Sequence, residues 1–113
     1  MAVASAPVNV FRTITETVGL TTSVIYTSPV AYTGVILLSQ ITNTGTSTHT
    51  ISFGYRRGGI DTPIIKDLAI PANDTVNLLA GKLVVETGES LTLIGSNATD
   101  LKYLSSVLET SNL

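Results

Sequence analysis

Between Ile70 and Gly95 a turn-forming residue interrupts the chain every five to eight positions: Pro71, Asn73, Asp74, Gly81, Gly88 and Gly95. An α-helix averages three turns, about 11 to 12 residues, and no uninterrupted segment here is that long. Short apolar runs separated by Gly, Pro, Asn and Asp read as β-strands joined by tight turns. The polar residues of this stretch are turn formers and bring no chemically reactive cluster.

The same pattern extends over the chain. We expect strands over residues 10–18, 22–27, 34–43, 48–57, 64–70, 75–79, 82–86, 90–96 and 102–110, eight or nine short strands with no helix. Residues 34–43 open on the continuous apolar run Val35-Ile36-Leu37-Leu38, which predicts cover on both faces. Residues 48–57 alternate, with Ile51, Phe53 and Tyr55 on one face, which predicts a half-buried antiparallel strand. The loop Asn43-Thr44-Gly45-Thr46-Ser47 predicts that these two strands pair as a hairpin. In the first strand Arg12 and Glu16 share a face with Val10, Ile14 and Val18; that face is expected to be exposed or at a rim, with Phe11 on the other side as the inward anchor. In the last strand Tyr103, Ser105, Val107 and Glu109 fall on one side, Leu104, Ser106 and Leu108 on the other.

Turn signals every eight to twelve residues predict an all-β fold, a small antiparallel β-sandwich of immunoglobulin-like or jelly-roll-like topology. At 113 residues the chain fits one domain, expected over residues 10–113. Residues 1–9 are small and apolar, with Pro7, and read as an extended N-terminal arm, either disordered or ordered by a neighbouring subunit.

Composition narrows the function. Charged residues are 12% of the chain, about half the usual ~25%, and mean hydropathy is +0.40. No apolar run approaches the ~20 residues of a helical membrane span. Few charges and many apolar strands suit surfaces that meet other protein, because interface cores are depleted in charge. A homo-oligomer is therefore expected. The net charge of −2, with six Lys and Arg and Arg56-Arg57 as the one adjacent pair, argues against nucleic acid as partner. There is no cysteine, so neither disulfides nor thiolate metal sites arise. Residues 1–10 lack a signal-peptide pattern, so Asn73-Asp74-Thr75 and Asn97-Ala98-Thr99 read as turns rather than glycosylation acceptors.

Candidate chemistry is sparse. His49 is the single histidine, too few for a histidine-based metal site. As a general base it would need a Ser or Thr nucleophile and an orienting carboxylate, and no nucleophile signature is present. Asp61, Asp67 and Asp74 offer oxygen ligands for Ca²⁺ but lack the alternating spacing of a calcium loop. Gly58-Gly59 after Arg56-Arg57 lacks the Lys-Ser/Thr ending of a phosphate loop. Tyr26, Tyr32, Tyr55 and Tyr103 are candidate contact anchors. Without Trp, and with six Phe and Tyr in all, a sugar-binding platform is poorly supplied. No catalytic, cofactor or metal residue is assigned, and no enzyme is expected.

Val24-Ile25-Tyr26-Thr27-Ser28-Pro29, the run from Val35 to Asn43, Lys66 to Asp74, Gly81 to Glu89, and Ser106-Val107-Leu108-Glu109 together resemble small virion structural proteins of tailed bacteriophages, cyanophages included. The resemblance spans residues 22–110 and rests on strand and turn patterns. Where that pattern has Asp after the second turn glycine, this chain has Glu89. The resemblance implies a non-enzymatic β-rich building block present in many copies on a virion and assembled in the host cytoplasm. It implies a capsid decoration or cement protein bound to the major capsid protein, or alternatively a tail, neck or baseplate accessory. A carbohydrate-binding adhesion module is the third reading. None of these readings involves a cofactor, nucleic acid or a membrane.

Overall fold

The computed structural model describes residues 8–112; Pro71, Asn73, Asp74 and Gly88 fall between strands, whereas Gly95 is the last residue of a strand. Nine strands follow one another without a helix: β1 (Asn9–Thr17), β2 (Ser23–Thr27), β3 (Tyr32–Asn43), β4 (His49–Arg57), β5 (Ile60–Ile70), β6 (Thr75–Asn77), β7 (Leu83–Val85), β8 (Ser90–Gly95) and β9 (Leu101–Ser111). Of the expected N-terminal arm, residues 1–7 lie outside the described residues, and Asn9 already belongs to β1.

The strands form two antiparallel sheets. One has the order β1-β9-β3-β6, with β7 also paired to β3; the other has the order β2-β8-β4-β5. β6 pairs with Gln40–Thr42 and β7 with Gly34–Ile36, so the two are successive pieces of one edge strand interrupted at residues 78–82. Counted that way there are four strands per sheet, and the chain passes repeatedly from one sheet to the other. This is the jelly-roll form of the β-sandwich, and it settles the topology that strand spacing left open.

One expected pairing is wrong. Residues 34–43 and 48–57 do not form a hairpin: β3 pairs with β9, β6 and β7, while β4 pairs with β5 and β8 in the opposite sheet. The loop between them is a crossing, not a reversal. Asn43 holds its start, donating from Nδ2 to the carbonyls of Ser47 (2.8 Å) and Ile70 (2.9 Å). The hairpin is β4–β5, turned by Gly58 and Gly59 at φ 57° and 77°, the left-handed region that side chains with a Cβ avoid.

The core lies between the sheets. Ile36, Ile41, Ile51, Phe53, Leu91, Leu93, Tyr103 and Val107 are fully buried, and the Phe53 and Tyr103 rings meet at 6.3 Å in a tilted arrangement. The alternation expected for residues 102–110 is observed: Tyr103, Ser105, Val107 and Glu109 are the buried side of β9.

Two burial expectations need correction. Phe11 is 74% exposed, so it is not an inward anchor. On β1 the face that meets the core is that of Ile14, and Val18 just beyond the strand is buried with it; Arg12 and Glu16 sit at its rim. Nor is β3 covered on both faces. A bulge at Leu37 puts two successive residues on the outside, and Leu37 and Leu38 are each 39% exposed.

Candidate functional site

Three polar clusters gather the residues with chemical potential, and each is occupied in holding the fold. The first is buried. Glu109, 4% exposed, accepts through one oxygen, Oε2, from Tyr26 Oη at 2.7 Å and Arg12 Nη1 at 3.1 Å. A carboxylate this deep requires such partners. Burial, and then the bond to Glu109, push the Tyr26 phenol far above its ordinary range. Gly34 lies across from Glu109 on β3, and its missing side chain leaves the space through which the Tyr26 ring reaches the carboxylate. A residue in place of Gly34 would set its Cβ 2.5 Å from the phenol oxygen.

The second cluster ties the end of β4 to the turn Thr87-Gly88-Glu89. Arg57 donates to both oxygens of Glu89, Nε to Oε2 at 2.5 Å and Nη2 to Oε1 at 2.9 Å, and pairs with Glu86 as well. Tyr55 donates to Glu89 at 2.5 Å and lies 5.6 Å beneath the guanidinium. The bonds from Arg57 and Tyr55 hold the Glu89 carboxyl below its ordinary range. Neighbouring Arg56 is spent in the same manner on Asp61, through two bonds of 2.6 and 3.0 Å.

The third cluster contains His49, whose Nε2 lies 3.1 Å from Asp100 Oδ2. Thr99 Oγ1 is also present but donates to the other oxygen of Asp100 at 3.1 Å. Nucleophilic catalysis needs the hydroxyl on the imidazole and the carboxylate behind it. Here the carboxylate stands in the middle, so the hydroxyl is not activated. Asn97 organises this loop by accepting from the amides of Thr99 (2.9 Å) and Asp100 (2.8 Å), the turn role read from the sequence.

Asp61, Asp67 and Asp74 are not brought together. Asp61 serves Arg56, Asp67 receives Ser52, and Asp74 caps the amide of Thr75. Among the described residues no three His, Cys, Asp or Glu side chains converge as a metal site would require. Of the tyrosines, Tyr26 and Tyr103 belong to the core and Tyr55 to the second cluster.

The surface that stands out is the outer face of the five-stranded sheet. Strand register aligns Phe11 of β1 with Leu108 of β9, Leu108 with Val35 of β3, and Val35 with Val84 of β7. The result is an apolar row across the whole width of the sheet. Phe11 is 74% and Val84 53% exposed, and Leu37 and Leu38 lie beside the row. Towards the other end of this face the lining turns polar, with Thr15, Gln40, Thr42 and Lys102 around an open groove of about 370 Å³. Scattered exposed apolar residues are ordinary, whereas this row is contiguous across four strands. Sequence reading missed it because the four residues come from four strands; the one local signal was the unbroken apolar run of β3.

No family model matches the chain, and no curated protein matches it in sequence. Among solved structures, a chain from the Bacillus endospore appendages, which form a family of disulfide-linked pili, superposes with a TM-score of 0.57 over 98% of each chain at 12% identity. At that identity the likeness establishes the fold: the chain is an all-β sandwich similar to that of the appendage chain.

Proposed function

We propose that this chain is a structural subunit without a catalytic role, working in many copies by packing the outer face of its five-stranded sheet against other protein. The row Phe11, Leu108, Val35 and Val84 carries the reading. Covering its exposed members contributes roughly 1–2 kcal/mol each by apolar burial. The polar clusters support it too, since each is engaged in tying strands and turns together. The sequence resemblance supports a tailed-phage particle as the assembly, with the chain as a capsid decoration protein on the major capsid protein.

The test is co-sedimentation of the purified protein with expanded capsids and, separately, with purified tails. Capsid binding that is lost in Val84→Lys, with folding stability unchanged to within about 0.5 kcal/mol, is the expected result. Binding to tails alone would move the chain to a tail, neck or baseplate role. Binding to neither refutes the phage assignment.

A second reading, a fibre subunit, is favoured by the fold shared with the appendage chain. These 113 residues contain no cysteine, so a fibre built from them would be held without disulfides among them. Filaments of the pure protein in negative stain would select this reading. The adhesion reading has less support, because Phe11 is the one aromatic in the aligned rows of that outer face. A silent glycan array in multivalent format would remove it.

A further inference from the structure

A sheet edge exposes backbone donors and acceptors to any passing strand, and natural proteins usually guard such edges. Three of the four edges here are guarded. β5 carries Pro63 and Lys66, register breaks, and Asp67 at φ 52°. β2 is five residues long and bulged, and β6 and β7 have three residues each. β1 is the least guarded: nine residues in unbroken register with β9, without Pro or bulge, whose two charges, Arg12 and Glu16, are of opposite sign and so do not by themselves repel a second copy.

The direction of its backbone groups follows from two bonds. Ser111 N donates to Val8 O at 2.7 Å and Val18 N to Leu101 O at 2.9 Å, both in the register that joins β1 to β9. Even-numbered residues of β1 therefore face β9, and the amides and carbonyls of Asn9, Phe11, Thr13, Thr15 and Thr17 point outward. A second copy of the same strand, related by a two-fold axis, can bond to these groups only in registers that set odd residues opposite odd ones. With the axis through Ile14, Thr13 faces Thr15 of the other copy and Phe11 faces Thr17. Arg12 then faces Glu16 and Glu16 faces Arg12, at pairs that make no hydrogen bond, where side chains approach most closely.

We propose that β1 pairs antiparallel with β1 of a second copy about a two-fold axis at Ile14, joining two five-stranded sheets into one continuous sheet. Charge complementarity selects this register, since it matches opposite charges twice. Both charges are available. No ion pair engages Glu16 among the described residues, and Arg12 is half exposed and uses a single nitrogen on Glu109. The proposal rests on the reading of the chain as an assembling subunit and adds the edge by which copies meet.

The absence of native thiols makes the test direct. Ile14→Cys places two sulfurs across a pair with Cα atoms about 4.5 Å apart, within disulfide reach, so oxidation should give a covalent dimer. Thr17→Cys, on the same edge but far from its own copy in this register, should stay monomeric. Because Ile14 also packs on the core, a mixture of Thr13→Cys and Thr15→Cys chains repeats the test at exposed sites and should cross-link between the two variants. Glu16→Lys, which sets two like-charged pairs in the interface, should weaken the dimer in sedimentation velocity roughly tenfold or more. A wild-type chain that stays monomeric to high concentration, or Thr17→Cys cross-linking as readily as Ile14→Cys, overturns the proposal. Capsid or tail binding by such a monomer would leave the assembly reading standing while the edge pairing falls. A β1-linked dimer that binds no particle would do the reverse.

Discussion

Replacing Gly34 by Ala tests the buried cluster through the sign of the effect. Gly34 lies within β3 and has no positive φ. On backbone grounds alone, Ala there should stabilise the protein by about 0.4–1 kcal/mol, because it restricts the unfolded chain. The surroundings predict the reverse. The new Cβ would stand 2.5 Å from Tyr26 Oη, 2.9 Å from Cε2 and 3.1 Å from Cζ. The ring is rigid, so it must move as a unit. Moving it lengthens the 2.7 Å bond to Glu109 and leaves a buried carboxylate with Arg12 alone. Overpacking costs about 1–3 kcal/mol, and weakening a hydrogen bond to a buried charge about 1.5–3 kcal/mol. Since displacing the ring relieves part of the clash, a net loss of roughly 2–4 kcal/mol is expected. For a domain of about 100 residues that lowers Tm by roughly 10–20 °C. Urea denaturation of wild type, Gly34→Ala, Tyr26→Ala and the double variant measures it. In the Tyr26→Ala background, Gly34→Ala should cost little or nothing. A neutral or stabilising Gly34→Ala in the wild-type background would refute the steric reasoning.

Two predictions concern pH. Tyr26, Tyr55 and Tyr103 all have phenols raised by burial before any other cause. In the folded state they keep their protons above pH 10, where unfolded tyrosines lose theirs. This stability is fully present below about pH 10 and falls as pH rises through the raised values. Tyr26→Phe should make the alkaline fall in stability shallower by about one proton; an unchanged slope counts against a buried Tyr26. Glu89 behaves oppositely, since Arg57 depresses its carboxyl. Its contribution is present above the ordinary Glu range and lost as pH falls through the lowered value. In Glu89→Gln the stability profile between pH 5 and 3 should flatten, with the difference from wild type shrinking in salt because the pair is at the surface. A difference from wild type that salt leaves unchanged would show that the turn is held by something other than the ion pair.

Legibility followed the range of the interaction. Turn residues act on their own neighbours, so the turn at Pro71–Asp74 and that around Gly88 could be read directly. The two-residue period gave the buried side of β9 and of Ile51 and Phe53 on β4, because alternation is a property of one strand. The β3–β4 hairpin failed because a five-residue polar loop can either reverse a chain or carry it to the opposite sheet. Asn43, bonded to both Ser47 and Ile70, decided for the crossing. Phe11 failed for a related reason: β1 has apolar residues on both faces, and the hydrophobic pattern does not say which one meets a second layer. Arg12 made the Ile14 face look external, although its partner, Glu109, lies on the neighbouring strand at the far end of the chain.

What the sequence by itself determined, then, was an all-β chain with its corners in place, because strand alternation and turn chemistry are local. The tertiary structure alone decided that the sandwich is a jelly roll, since pairing depends on how separate strands share one core. It decided that Glu109 could be buried, because Arg12, Tyr26 and the vacant side of Gly34 converge on it from three other strands. It also decided where an apolar face would be left open. Phe11, Leu108, Val35 and Val84 become a single surface only when the register of four strands aligns them.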